Sequence, residues 1–168
     1  MSLIALGWLF TGCALLHNLE EALYLPAWSR RGRRFLKPVT APVFRFAISL
    51  LSLLFVALTL AATVAGPGSV AAYLMAGYVL AMVLNALLPH ALATMTLRSY
   101  MPGTATGVLF NLPIGLLYLS RALGQGQIAL PTFCWAGPAV VLGLLGLLPV
   151  LFALGNRLQG GIDHSGRA

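Results

Sequence analysis

The residues best able to do chemistry lie inside the first apolar segment of the chain. Glu20 and Glu21 are two of only three acidic residues in the 168-residue sequence, and His17 precedes them by about one helical turn. An ionisable side chain within a membrane span costs on the order of 3 kcal/mol on insertion scales, so it is a candidate for function. At 3.6 residues per turn these three side chains fall within an arc of about 100°, and Tyr24 follows on the same face. The spacing predicts one polar cavity beside the first helix.

Two chemistries fit this face. A histidine and a glutamate three apart can reach one metal ion, as Glu-x-x-His pairs do in di-iron bundles. A site built from His17, either Glu20 or Glu21, and the later His90 would offer nitrogen and oxygen ligands suited to zinc, iron or manganese, and the sequence leaves open whether both glutamates face the cavity. Alternatively, one carboxylic acid donates a proton while the other carboxylate, or a histidine, accepts it without a metal. The non-functional alternative is a cluster that reaches water at the helix end or pairs with a nearby arginine.

Later segments carry polar residues at a similar depth in the membrane. At 1.5 Å per residue, Glu20 and Glu21 lie roughly 8 Å from the cytoplasmic end of the first helix. His90 lies eight residues before Arg98, roughly 12 Å from the cytoplasmic end of the third helix. Pro89 cannot donate a hydrogen bond to the carbonyl of Asn85, which predicts a kink that aims Asn85 and His90 at one pocket. The fourth segment contributes Asn111. Interhelical amide hydrogen bonds are the structural alternative for both asparagines, and Arg98 would either hold an anionic head group or mark the interface. The predicted substrate-binding residues from this pattern are Tyr24, Asn85, Arg98 and Asn111.

The elements that must position these residues are membrane helices. The chain is 60% hydrophobic and 8% charged, whereas a typical soluble domain is about a quarter charged. Its apolar residues fall in blocks of roughly 20, the length that spans a bilayer. The sequence predicts an all-α, polytopic membrane helix bundle of one domain, 1–155, with a cytoplasmic tail, 156–168. The predicted helices are at about 3–25, 42–65, 71–97, 104–122 and 131–155.

The basic residues predict the orientation of the bundle. With five spans, nine of the ten Lys and Arg residues fall on one side of the membrane, and only Arg121 falls on the other. Basic loops stay in the cytoplasm, so the N-terminus is expected outside and the C-terminus inside, in the inner (plasma) membrane. The basic connector between the first two helices lacks the interleaved aromatic residues of a nucleic-acid site, so no nucleic-acid partner is expected. Membrane lipids are the expected partners.

The five residues His17-Asn18-Leu19-Glu20-Glu21 resemble the signature of the HXXEE-domain family of bacterial integral membrane proteins. In that family an asparagine and a histidine follow the motif, and then a Tyr-x-Pro-Gly turn. Here Asn85, His90 and Tyr100-Met101-Pro102-Gly103 occur in that order. The resemblance implies a membrane enzyme whose active site contains the motif residues, and it adds Tyr100 to the candidates for substrate binding. It implies no substrate.

Three functions remain open at this level. The first is an enzyme of isomerase, cyclase or hydrolase type that acts on a hydrophobic or lipid-like small molecule, with His17, Glu20, Glu21 and His90 as catalytic residues. The second is a small-molecule or proton-coupled transporter, although five spans show no inverted repeat. The third is a non-catalytic lipid-binding membrane subunit. The odd number of spans and the small-residue faces leave room for a homodimer.

Overall fold

The computed structural model describes residues 1–31 and 40–165, and throughout that part of the chain the regular structure is helical. Five helices follow one another: α1, Leu3–Arg31; α2, Ala41–Ala65; α3, Val70–Thr96; α4, Thr104–Gly124; and α5, Leu130–Ser165. Each contains a stretch long and apolar enough to cross a membrane. The predicted all-α bundle with five membrane-spanning helices is therefore confirmed at this level.

Two predicted helix boundaries are wrong. The first helix was expected to end near residue 25, but α1 continues through Pro26 to Arg31. The fifth was expected to end at residue 155, but α5 continues to Ser165, so most of the predicted tail is helical. The basic connector after the first helix lies mostly at residues 32–39, outside the described part of the chain.

A side chain from the second helix explains why α1 continues past Pro26. A proline inside a helix removes the hydrogen bond to the carbonyl four residues earlier, here that of Ala22. Arg45 of α2 donates its Nε hydrogen to this carbonyl oxygen at 3.2 Å. The freed acceptor is therefore satisfied by a tertiary contact, which is not visible in the sequence of α1 alone.

Aromatic and aliphatic side chains of α1, α2, α3 and α4 make the main core. Phe55 of α2 stacks on Tyr78 of α3 with ring centroids 4.1 Å apart, and it meets Phe10 of α1 edge-on at 5.8 Å. Tyr118 of α4 is buried in the same cluster. Such aromatic pairs contribute about 0.5–1.5 kcal/mol beyond the area they bury. This cluster fixes α1 against α3 and α4, the helices that carry the polar residues.

Polar contacts also hold α1 against α2. Asn18 donates from Nδ2 to Ser52 Oγ at 2.9 Å. The hydroxyls of Thr11 and Thr59 lie 2.8 Å apart and are buried. In a bilayer the hydrophobic effect does not draw helices together, so such interhelical hydrogen bonds and close packing take its place.

Two helices widen where they pass the polar face of α1. In α3 the segment Ala86–Ala91 forms a π-helical turn, and Leu88 departs from helical geometry at φ −127°, ψ 109°. The predicted kink at Pro89 is therefore present. In α4 the segment Gly107–Asn111 forms a second π turn, shortly before Pro113. Such wide turns are rare, and they occur frequently at functional sites.

Candidate functional site

Three side chains from α1 and α3 converge in the interior of the bundle. The Nε2 atom of His90 lies 2.7 Å from Glu21 Oε1, and the Nε2 atom of His17 lies 3.5 Å from the same oxygen. The two imidazole rings are perpendicular, with centroids 5.0 Å apart. Both histidines and Glu21 are buried. One potential ligand atom from each residue lies within 4.8 Å of the others. We call His17, Glu21 and His90 the histidine–glutamate cluster.

Helical spacing and the kink of α3 together produce this cluster. His17 and Glu21 are four residues apart on α1 and share a face, because a helix repeats every 3.6 residues. Asn85 and His90 are five apart, which would separate them on a regular helix. The π turn of α3 brings them to the same side, so that Asn85 Nδ2 lies 3.1 Å from His17 Nε2. The kink therefore directs both Asn85 and His90 toward the cluster.

Glu20 faces the beginning of α4 instead of the cluster. Its Oε1 atom accepts hydrogen bonds from the Tyr100 hydroxyl and, at 2.9 Å, from the Gly103 backbone N–H. Its Oε2 atom accepts from the Thr106 hydroxyl at 2.7 Å. Thr106 Oγ1 in turn lies 3.0 Å from His17 Nδ1. Among the described residues Glu20 therefore reaches the cluster indirectly, through Thr106 and the Gly103 backbone, and its predicted role as a metal ligand does not match this geometry.

The turn between α3 and α4 closes over the cluster. Gly103 has φ +95°, a left-handed conformation that favours glycine. A Cβ atom there would lie 2.6 Å from His90 Cε1 and 2.9 Å from His17 Cε1. The backbone therefore packs directly against both imidazole rings, and only a residue without a side chain fits.

Two threonines fix this turn to the end of α3. Thr104 donates from its hydroxyl to the His90 carbonyl at 3.1 Å or to the Met101 carbonyl at 2.7 Å. Thr94 accepts from the Met101 N–H at 3.0 Å, and its Oγ1 atom lies 2.7 Å from that of Thr104. The position of Gly103 against the cluster is thus set by polar contacts on both sides of the turn.

Tyr100 lies outside the membrane-spanning segments and is half-exposed, with its hydroxyl directed inward. That hydroxyl accepts from the Ala105 N–H at 3.2 Å, which leaves its own hydrogen to donate to Glu20. Partial burial and the hydrogen bond to Glu20 raise the pKa of Tyr100 above its ordinary value. The phenol is therefore protonated at physiological pH and is a constant donor to Glu20.

Asn111 is fully buried one turn away from the cluster. Along α4, Gly107 packs near His17 and Gly115 packs near Phe10, so Asn111 lies between these two levels. Neither atom of its side-chain amide has a hydrogen-bond partner within the described residues, and the same holds for His90 Nδ1. Burying an unpaired polar group costs about 1–3 kcal/mol, so these atoms call for an explanation.

Two predicted substrate-binding residues lie away from the cluster. Tyr24 shares the face of Glu20 and Glu21, but the turn at Gly103 crosses α1 at Glu20, and Tyr24 beyond it is 60% exposed. Arg98 was expected to continue the face of His90, but α3 ends at Thr96. Arg98 follows in a left-handed bend at φ 47° and is exposed. Among the described residues it makes no hydrogen bond to the site.

Thr106 is a site residue that sequence reasoning missed. On a regular helix it lies about 140° away from Asn111, because residues five apart point in different directions. The π turn at Gly107–Asn111 replaces the four-residue repeat by a five-residue repeat, which changes the face that Thr106 presents. The only signal in the sequence is a hydroxyl residue close to Gly103 at the start of a span.

Comparison with known proteins identifies the family. Residues 8–118 match the family described as "Protein of unknown function with HXXEE motif". The chain belongs to this HXXEE family. It is 33% identical over 144 residues to the "Uncharacterized protein YrkK" of Bacillus subtilis (strain 168), a match that covers 86% of this chain and 91% of that protein. No solved structure matches the chain. The family match includes all of the histidine–glutamate cluster together with Glu20, Gly103 and Thr106.

Proposed function

We propose that this HXXEE protein is a membrane-embedded enzyme that holds a divalent metal ion with His17, Glu21 and His90 and acts on a hydrophobic or lipid-like small molecule. One observation carries the proposal. Asn85 donates from Nδ2 to His17 Nε2, so this nitrogen has a lone pair and no proton, and a bound cation would take that lone pair in place of the Asn85 hydrogen bond. The nitrogen faces the Oε1 atom of Glu21 at 3.5 Å, so two electron-rich atoms share one buried space. A cation bound between them would relieve this repulsion, which is unscreened in the bilayer.

The donor set fits a metal of the zinc, iron or manganese type. Two imidazoles and one carboxylate are common ligands of catalytic sites, where a further position stays open for a substrate. A metal-binding histidine usually hydrogen-bonds through its other ring nitrogen, and His17 Nδ1 does so with Thr106. Such an ion supplies Lewis-acid polarisation of a substrate oxygen. His90, whose Nε2 atom lies 2.7 Å from Glu21 Oε1, would have to release the proton on that nitrogen to bind the ion there, or would bind it through Nδ1, which has no partner among the described residues.

Metal content tests the proposal directly. We expect detergent-purified protein, never exposed to chelator, to contain close to one equivalent of zinc, iron or manganese by elemental analysis. Replacing His17 with Ala or Glu21 with Gln should remove it. The matched control is Leu19→Ala, because Leu19 lies in the same motif but points outward and is exposed. Metal that persists in both site variants would overturn the proposed ligands.

Metal-free proton transfer is the second candidate, and the short contact between Glu21 and His90 favours it. A carboxylic acid and an imidazole at hydrogen-bond distance can serve as acid and base in isomerisation or cyclisation. Wild-type protein without stoichiometric metal, together with loss of turnover in Glu21→Gln, would establish this alternative. Transport of a small molecule or of protons would instead appear as uptake by reconstituted vesicles without chemical conversion.

The environment of the cluster supports a hydrophobic substrate. The cluster is buried among helices that are apolar enough to span a membrane, which favours a molecule that enters from the bilayer. The unpaired amide of Asn111 is available to bind one polar group of such a molecule. Mass spectrometry of compounds that co-purify with wild-type protein, but not with Asn111→Leu, would identify candidates. Recovery of the same lipids with both proteins would indicate ordinary surface lipid.

We also propose that the chain lies in the plasma membrane with its N-terminus outside and its C-terminus in the cytoplasm. The nine-to-one distribution of basic residues supports this orientation. A reporter that is active only in the cytoplasm, fused after Ala168, should be active.

Membrane lipids are the proposed partners of the exposed leucines of α5, and a second copy of the chain could replace them in a homodimer. Native mass spectrometry in detergent distinguishes the two.

A further inference from the structure

We infer that Glu20 is a positioning residue that fixes the tautomer of His17 through the hydroxyl of Thr106. The two adjacent glutamates of the motif would then have different tasks. Glu21 contacts the histidines directly, whereas Glu20 determines which nitrogen of His17 carries the proton and which one has the lone pair on the side of Glu21. This inference concerns a proton position, and it holds whether or not the cluster binds a metal.

The argument begins at the carboxylate of Glu20. Its two oxygens receive three donors: the Tyr100 hydroxyl, the Gly103 N–H and the Thr106 hydroxyl. The Tyr100 hydroxyl has already accepted from the Ala105 N–H, so its hydrogen is free to donate. Three converging donors are the complement of an ionised carboxylate, which only accepts.

The next link is the hydroxyl of Thr106, which has a single hydrogen. Glu20 Oε2 at 2.7 Å takes that hydrogen, because a carboxylate has none to give. The Thr106 oxygen also lies 3.0 Å from His17 Nδ1, and it can only accept there. His17 therefore carries its proton on Nδ1.

The opposite side of the His17 ring gives the same result independently. Nε2 receives the amide hydrogen of Asn85 at 3.1 Å, so it has a lone pair. It stays 3.5 Å from Glu21 Oε1, whereas the His90 nitrogen approaches that oxygen to 2.7 Å. The longer distance is expected between two acceptors, and the shorter one is expected for an N–H donor.

The isosteric change Glu20→Gln tests the relay because it reverses the direction of one hydrogen bond. Tyr100 and Gly103 both require an acceptor, so the Gln oxygen takes the Oε1 position and its NH2 group faces Thr106. Thr106 then accepts from Gln and turns its own hydrogen toward His17 Nδ1. Among the described residues, the other acceptor near this hydroxyl is the Gly103 carbonyl, at 3.4 Å. The proton of His17 should then move to Nε2, where Glu21 accepts it, and the Asn85 amide, which donates to Nε2 in the wild type, must turn its oxygen toward that nitrogen or lose this contact.

Nitrogen NMR of protein labelled with ¹⁵N-histidine reads this proton position. The protonated and unprotonated nitrogens of a neutral imidazole resonate far apart, and the chain has only three histidines. The signals of His17 are those that vanish in His17→Ala. The spectra are recorded at about pH 8.5, where an ordinary histidine is neutral. Under this condition, His17 of the wild-type protein should show a protonated Nδ1 and an unprotonated Nε2. Glu20→Gln should show the reverse.

Three further variants separate a relay from a merely structural role. Thr106→Val removes the acceptor and should also shift the proton to Nε2, while Thr106→Ser should restore the wild-type pattern. Tyr100→Phe removes one donor to Glu20 without reversing Thr106, so its His17 signals should match wild type. Far-UV circular dichroism and size-exclusion elution confirm that each variant is folded. Wild-type protein protonated at Nε2, or a folded Glu20→Gln with an unchanged pattern, would overturn the inference.

The relay also has a consequence that depends on the proposed metal site. If Nε2 of His17 binds the ion, Glu20→Gln should weaken zinc affinity about 10–100-fold, the usual effect of changing such an outer hydrogen bond. Tyr100→Phe should leave the tautomer, and hence this contribution to affinity, in place. Absence of any metal would refute the metal site alone, since the NMR result does not require an ion.

Discussion

Replacing Gly103 with Ala should disrupt the cluster although none of its three residues is substituted. An L-residue in the left-handed region at φ +95° costs about 1–2 kcal/mol. The new Cβ would also lie 2.6 Å from His90 Cε1 and 2.9 Å from His17 Cε1, which forces both rings to move. Overpacking of this kind typically adds about 1–3 kcal/mol. The total loss in the free energy of unfolding is therefore about 2–5 kcal/mol.

Gly68 provides the matched control. Its φ is +72°, so Gly68→Ala introduces similar backbone strain, but no atom lies within 4 Å of its added Cβ. We expect this control to lose only the strain contribution of about 1–2 kcal/mol.

Thermal unfolding in one detergent, followed by far-UV circular dichroism, compares the two variants. About 2–4 °C per kcal/mol is expected for a chain of this size. Gly103→Ala should show the lower midpoint, and it should also change the His17 and His90 NMR signals. Equal midpoints, with unchanged histidine signals, would refute the claim that the turn packs against the cluster.

Three other changes test separate parts of the structure. Arg45→Met should destabilise the wild-type chain by about 1 kcal/mol, because the Ala22 carbonyl loses its donor. In a Pro26→Ala background the same change should have little effect, because the backbone N–H of residue 26 then donates to that carbonyl. Equal effects of Arg45→Met in the two backgrounds, measured in a thermal double-mutant cycle, would contradict this role. Gly77→Ala should destabilise by about 1–3 kcal/mol, because its Cβ would lie 2.5 Å from Val140 Cβ, and Val140→Ala should recover part of the loss in the same melting assay. Asn111→Leu should raise the melting temperature while abolishing turnover or ligand retention, since an unpaired buried amide costs about 1–3 kcal/mol; a lower melting temperature would mean that the amide is satisfied in the folded protein.

The positions of the five spans could be predicted because a bilayer imposes a length. Blocks of about 20 apolar residues have no other stable environment, so composition and turn residues locate the helices closely. The ends of α1 and α5 were less predictable. The continuation past Pro26 depends on Arg45, a residue of the next helix, and no local pattern reveals that contact.

Part of the candidate site could also be predicted. The four-residue spacing of His17 and Glu21 places them on one face, and the proline of α3 correctly indicated a kink that directs His90 toward them. The separate directions of Glu20 and Glu21 were not predictable. Both lie on the same broad face of α1, and the choice between them depends on where the Gly103 turn crosses the helix.

The residues of the HXXEE motif face different neighbours in the bundle, which gives the spacing a physical reason. His17 and Glu21 meet α3, while Glu20 meets the start of α4. The two unspecified positions point elsewhere: Asn18 bonds to Ser52 of α2, and Leu19 is exposed. Moving either glutamate by one residue would rotate it by about 100° and remove its partner. The motif therefore requires two adjacent carboxylates because one must reach His90 across the cluster while the other must reach Thr106 beside it. A single glutamate in this helix turn could satisfy only one of these directions.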